Sequence, residues 1–456
     1  MRTFLLAAFA ASYSLTRWRR QRFTDAGTAV LVVLAITAML SPGALHTRMD
    51  ILCLFTATLL CCGLPIMLWF PRRGRALLVK RNLPRFVSIG KPFSYRLEVV
   101  NSGNRTLSGL RIDDQVTGDF PDEEQFRQAR YPDKLNPNPF DRLIGYFRWL
   151  WLVARIRGLA VETVSVPVLA GGARVDLVMR ATPLRRGVIR FDRVVIAGSD
   201  PLGLVNGLIR RHLPQSLMIL PRQHFMHPIS LGGSRRHQSE GVSLAQSVGN
   251  ADEFVFLREF RSGDQRRHIH WRSSARRDKL VVREHQDEYH QRFALIVDTF
   301  AAPGEEEWLE DGIEIAASVI GATRLGESLL DMMFVGHQAC HITAGRGLGC
   351  IENLLEVLAC ALPCRDHPFT HLTDLVLGHA GMLNGCLCVL LHWDEPRQAL
   401  VRGLHILGVP VQVIVLVAAG TSPAPGVLAD KPEHFYPMPA GAVAPALAAL
   451  KGLAVS

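Results

Sequence analysis

Residues 293–335 read FALIVDTFAAPGEEEWLEDGIEIAASVIGATRLGESLLDMMFV. The unbroken apolar run at 293–297 closes on Asp298, residues 306–325 place apolar side chains at helical spacing, and 329–335 is a second apolar run. A strand covered on both faces reads as a continuous apolar run, whereas a strand with one wet face alternates. The stretch therefore predicts strand, helix, strand. Further along, 351–361 and 398–407 have helical spacing, and 386–392 and 411–417 are again apolar strands. Such alternation predicts a parallel sheet with helices on both faces, a doubly wound α/β domain spanning 251–456. Beyond Gly420 the chain is rich in Ala and Pro, with a last helix predicted at 443–453.

Upstream the period changes. Residues 93–100 alternate apolar and polar, Asn101, Ser102, Gly103 and Asn104 form a turn cluster, and 107–112 resume the alternation. Segments 161–168, 175–179, 187–196 and 216–220 continue as short strands. Short strands at this spacing predict an all-β, immunoglobulin-like sandwich over 76–220. A helical insertion at about 121–158 interrupts it, and 140–156 set Phe140, Ile144, Phe147, Trp149, Trp151 and Val153 among Arg142, Arg148 and Arg155. That composition fits a helix at a membrane interface or one packed on the sandwich. Residues 221–250, poor in large apolar side chains and rich in Gly, Ser, His and Arg, read as a linker.

The N-terminal 75 residues predict a membrane anchor. Two uncharged runs, 26–45 and 51–70, are each 20 residues long, the length a helix needs for a hydrocarbon core of roughly 30 Å. Only 46–50 separate them, so they predict a two-helix transmembrane hairpin. Arg17, Arg19, Arg20 and Arg22 precede the first run, and Arg72, Arg73, Arg75, Lys80 and Arg81 follow the second. By the positive-inside rule both termini are expected in the cytoplasm, which predicts a bacterial inner-membrane protein with the lipid bilayer as a partner. The first 16 residues read as a retained interfacial lead rather than a cleaved signal, because the Arg cluster behind them resists export.

Charge follows the same division. The 456 residues carry 51 Lys and Arg against 41 Asp and Glu, but 11 of the basic and only 2 of the acidic residues lie in 1–81. The rest is nearly neutral, which argues against nucleic acid as a partner. Nine cysteines without framework spacing argue against a disulfide scaffold.

The densest polar motif is FVFLREFRSGDQRRHIHWRSSARRDKLVVRE at 254–284, with nine Lys and Arg from Arg258 to Arg283. Here the chain resembles a bacterial family catalogued as domain of unknown function 58. The carrying residues are Arg258, Glu259, Phe260, Gly263, Asp264, Arg267, Ile269, Trp271, Arg272, Ser274, Ala275, Arg276, Leu280, Val281, Val282, Arg283 and Glu284. A second match is Asp200, Pro201, Leu202, Gly203 and Leu204. The resemblance implies a C-terminal domain similar to von Willebrand factor type A domains, whose metal site is built on Asp-x-Ser-x-Ser after the first strand. Asp298 holds the first position, but Phe300 and Ala302 replace the two serines. A divalent cation wants several oxygen ligands, so no metal and no cofactor is expected. The resemblance also implies a protein partner, a MoxR-type AAA+ ATPase that the chain helps in remodelling or maturing clients.

The Arg cluster admits two readings. Arg presents fixed forks to carboxylate or phosphate and stacks on Trp, which suits a partner or anion surface. Alternatively it is a structural network, with Glu253, Glu259, Asp264, Asp278 and Glu284 as counter-charges. The network is the expectation for Trp271, as a buried anchor, and for Arg276, with Arg267 at the surface. Cys360, Cys364, Cys386 and Cys388, near His367, His371, His379 and His392, lack zinc spacing and read as core thiols. No nucleophile elbow or phosphate loop appears, and Gly345, Gly347 and Gly349 only precede a helix. The function expected is a membrane-anchored scaffold without catalysis. The alternatives are an enzyme with a metal or thiol site, and anion or nucleic-acid binding through the Arg cluster.

Overall fold

The computed structural model describes residues 2–40, scattered positions from 52 to 70, 76–129, 144–200, 202–229, 254–261, 269–277, 279–285, 291–323, 328–345 and 350–450. Its β region consists of two sheets. β1 (Leu77–Asn82), β3 (Phe93–Asn101), β7 (Arg174–Pro183) and β5 (Leu159–Val161) form one, in the order β1-β3-β7-β5. β2 (Phe86–Ser88), β9 (Asn206–Leu220), β8 (Gly187–Ser199), β4 (Leu110–Val116) and β6 (Val164–Val166) form the other, in the order β2-β9-β8-β4-β6. Alternation does the sorting. Tyr95, Leu97 and Val99 of β3 point inward to meet Ile112, Ile196 and Ile219 of the facing sheet in one core. A buried ion pair stitches the sheets together: Arg81 donates from Nε and Nη2 to Asp114 at 2.8 and 2.5 Å, and the Tyr95 hydroxyl donates to the same carboxylate at 2.7 Å.

A hairpin of β10 (Phe254–Glu259) and β11 (Val281–His285) follows, with the short helix α5 (Trp271–Arg277) inside it. Next comes a six-stranded sheet in the order β14-β13-β12-β15-β16-β17. Its members are β12 (Arg292–Val297), β13 (Leu329–Val335), β14 (Ala339–Ala344), β15 (Gly385–Leu390), β16 (Val411–Val417) and β17 (Phe435–Pro439). All are parallel except the edge strand β14. Two cores flank it. Leu295 and Leu387 face α6 (Glu306–Ala322), α7 (Ile351–Ala359) and α10 (Val443–Ala449), while Ile296 and Cys388 face α8 (Thr370–His379) and α9 (Glu395–Ile406). Strand order reverses between β12 and β15, the switch point at whose carboxyl ends doubly wound sheets bind ligands. The β region is joined to this domain by Leu220 and Met226 in the first core and by Arg186, which pairs with Glu310 and donates to the Ala361 carbonyl at 2.6 Å.

The N-terminal helices correct the membrane expectation. Among the described residues no helix is long and apolar enough to cross a membrane. The described residues of α2 (Asp25–Leu40) number 16, about 24 Å of helix at 1.5 Å per residue, short of the roughly 30 Å required. Its start is also tied to protein: the Thr24 N–H donates to the Leu204 carbonyl at 3.1 Å, and the Thr24 hydroxyl donates to the Gly203 carbonyl. α1 (Arg2–Arg22) is longer, but it carries Arg17, Arg19, Arg20 and Arg22 and packs through Phe9 on Trp149 and Val153 of the helical insertion. The second apolar run falls mostly outside the described residues. An uncharged run records composition; it does not record helix length. The predicted transmembrane hairpin is therefore overturned, and with it the inner-membrane location with both termini cytoplasmic.

The insertion forms α3 (Glu123–Gln128), capped by Asp122, and α4 (Tyr146–Arg157). Trp149 and Val153 of α4 are buried against Phe9, so its apolar face is covered by protein.

Candidate functional site

Two places bring together residues singled out in the sequence: the carboxyl edge of the parallel sheet, and the 254–285 hairpin with its helix.

At the carboxyl edge, Asp298 follows β12 and is fully buried. Its Oδ1 accepts from the Phe300 N–H at 2.9 Å, and its Oδ2 accepts from the Leu391 N–H at 3.0 Å and from Arg397 Nε at 2.6 Å. Arg397, on the first turn of α9, is buried as well, and donates from Nη1 to Asp394 at 2.6 Å and from Nη2 to the Phe300 carbonyl at 3.3 Å. Its guanidinium lies over the Phe369 ring, 4.8 Å from the centroid. Burial alone would lower the Arg397 pKa, but the two carboxylates raise it overall, so the cation is fixed. A permanent internal cation thus sits against the carboxylate that would begin a metal site. Nearby, Glu305 accepts from the Ala302 N–H at 3.0 Å and contacts His392 Nε2 at 3.0 Å. Burial would raise Glu305, yet the Ala302 N–H, His392 and Arg397 together hold it below the usual carboxylate range. Among the described residues no three His, Cys, Asp or Glu side chains are grouped to hold a metal ion.

The thiols have no such company. Cys386 and Cys388 are buried in β15, and burial raises both thiols, which disfavours the nucleophilic thiolate. Cys360 is exposed and Cys364 is buried.

In the hairpin, Leu257 pairs with Arg283 and Arg258 with Val282 across β10 and β11. The backbone of Arg258, Arg283 and Glu284 is described without their side chains, and Gly263, Asp264 and Arg267 lie outside the described residues. Glu259 is exposed and accepts from Lys279 Nζ at 2.9 Å. Ser274, buried in α5, donates to the His270 carbonyl at 3.1 Å and accepts from the Val281 N–H at 2.9 Å. Ile269 is buried and bridges to Val282. These contacts staple one face of α5 to the hairpin and turn the other outward. Trp271 is 67% exposed, and Arg272, Ala275 and Arg276 are exposed beside it. The expectation of a buried Trp271 anchor and a buried, paired Arg276 is corrected, because Ser274 occupies the inward position.

The second motif is a clamp. Asp200 is buried and accepts from the N–H groups of Leu204 at 2.6 Å and Val205 at 3.0 Å. Gly203 has φ +70°, which favours glycine at this turn, and Pro201 lies outside the described residues. The turn presents the Gly203 and Leu204 carbonyls to Thr24, so its work is to hold the start of α2. Sequence reading missed Arg397. A buried Arg in an amphipathic helix leaves no periodic trace, and the Asp394 N-cap three residues earlier was the one local signal.

The profile of the family described as "Protein of unknown function DUF58" matches residues 257–376. An uncharacterized protein of Bacillus subtilis, YeaD, is 28% identical over 137 residues, which cover 30% of this chain and 34% of that protein. The chain thus spans about a third of the length of the curated relative it matches. Among solved structures, a Salmonella alpha-2-macroglobulin is similar over 35% of this chain and 8% of its own, at 18% identity and TM-score 0.19. The CARDB domain of a Pyrococcus furiosus protein is similar over 32% of this chain and 94% of its own, at 14% identity and TM-score 0.18. At such TM-scores neither likeness supports a fold or a function, so the resemblance to the family of unknown function rests on residues 257–376.

Proposed function

We propose that this chain is an interaction protein without a catalytic centre of its own, which docks a protein partner through the outward face of α5. The partner that the resemblance offers is a MoxR-type AAA+ ATPase, which the chain assists in protein remodelling or complex maturation. The type A-like reading of the six-stranded domain belongs to the same proposal and is supported by its parallel order and its Asp298 at the first strand end. The observation that carries the docking reading is Trp271, 67% exposed on a stapled helix between the hairpin strands. Binding energy concentrates in Trp, Tyr and Arg, and a preorganised surface loses less entropy on association. Exposed Arg272 and Arg276 beside the ring supply the charged rim. The closed ion pair at Asp298 supports a non-catalytic reading, since the crevice where doubly wound sheets bind ligands is filled by Arg397.

The test uses the purified full chain, immobilised, with the purified ATPase presented in ATP and in a non-hydrolysable analogue. Trp271→Ala with Arg276→Ala is expected to weaken capture at least tenfold, while unfolding free energy moves by less than about 0.5 kcal/mol. Capture equal to wild type, or none by the wild-type chain, defeats the proposal.

A further inference from the structure

A separate crevice of about 740 Å³ lies between α1 and the outer face of the five-stranded sheet. Arg17 and Arg20 of α1 line one wall, Arg111 of β4 lines the opposite wall, and Arg157 at the end of α4 closes it. Against these four guanidinium groups stands the Asp113 carboxylate, which accepts from Gln115 at 2.9 Å. The neighbouring Asp114 is already spent on Arg81 inside the core. Among the described residues no carboxylate pairs with Arg17, Arg20 or Arg111.

Packing like charges together costs stability unless something neutralises them. Guanidinium forks match phosphate oxygens two at a time. The hydroxyls of Thr16, Thr163 and Ser165 in the same lining can donate to further oxygens. The volume is that of a small-molecule site, too small to seat a polymer. We infer that this crevice binds a small anion carrying two or more phosphate charges, taken up from solution.

The site shares no residue with α5, so it stands or falls independently of the docking proposal. The test is calorimetric titration of the full chain with inorganic pyrophosphate, with sulfate at matched ionic strength as the comparison. Saturable one-to-one binding of pyrophosphate is expected, tighter than sulfate and weakening as salt is added. Arg20→Ala with Arg111→Ala is expected to weaken it about tenfold or more with a melting temperature no lower than that of the wild type, since both side chains are exposed and their removal relieves like-charge repulsion. Trp271→Ala is expected to bind pyrophosphate as wild type does. Absence of saturable heat, or equal binding by the double variant, overturns the inference. So does capture by vesicles containing phosphatidic acid with no response to pyrophosphate, which assigns the phosphate to a lipid headgroup.

Discussion

Asp298 and Arg397 show how a buried charge is made tolerable. Each is expensive alone, and the pair holds because Phe300, Leu391 and Asp394 satisfy the remaining oxygens and protons. Removing one partner leaves the other uncompensated. Asp298→Ala is therefore expected to cost about 3–5 kcal/mol, read as a lower midpoint in urea unfolding at pH 7. In the sequence Asp298 stands only as the first position of a metal-site motif whose two serines are replaced by Phe300 and Ala302. An unchanged midpoint means that the pair does not hold the crevice shut. Trp271 is the opposite case: most of the ring is in water, so its removal leaves no cavity.

At the scale of elements, glycines in two helices separate propensity from packing. An added Cβ at Gly27 in α2 meets the Leu204 carbonyl oxygen at 1.9 Å, a backbone atom that cannot swing aside. Gly378 in α8 is exposed and has nothing within 4 Å of the same position. Helix propensity favours Ala over Gly by about 1 kcal/mol at both, but overpacking costs roughly 1–3 kcal/mol at Gly27 alone. Gly378→Ala is expected to raise the melting temperature. Gly27→Ala is expected to lower it, with α2 cut faster by protease as its attachment to the turn fails. Equal shifts of one sign in the two variants contradict the close approach of α2 to that turn.

Across the whole molecule, α6 carries an acidic face whose charge couples stability to pH. Burial, reinforced by Glu314, Glu307 and Glu310, pushes Asp311 up to about 6, against the Gly441 N–H that donates to it at 2.7 Å and lowers it. A carboxyl raised in the folded state binds its proton more tightly there than in the unfolded chain, whose carboxyl titrates near about 4. Its contribution is therefore complete below about pH 4 and is lost as pH rises through about 6. Melting temperatures of wild type minus Asp311→Asn are expected to fall between pH 4 and pH 7. A flat difference shows that Asp311 is solvated and unperturbed. Gly441 precedes α10, so this contact also ties the C-terminal helix to the first core.

What the sequence determined by itself is local and periodic. Alternation at 93–100 marks β3, because one face of that strand is buried, and the unbroken run before Asp298 marks β12, because both of its faces are covered. The turn at Asp200 was legible as a motif, though not as the seat of α2. Where the answer depends on what lies across space, the sequence was silent or misleading. Twenty uncharged residues at 26–45 suggested a spanning helix, but α2 begins on the Gly203 turn and its described residues number 16. Arg397 is 99 residues from its partner Asp298, a separation no window detects. Trp271 has the composition of an anchor, and only the hydrogen bonds of Ser274 to His270 and Val281 decided that it faces outward. Periodicity reports that a face is buried; the tertiary structure chooses what covers it, because burial of a particular side chain is a property of the contact and not of the residue.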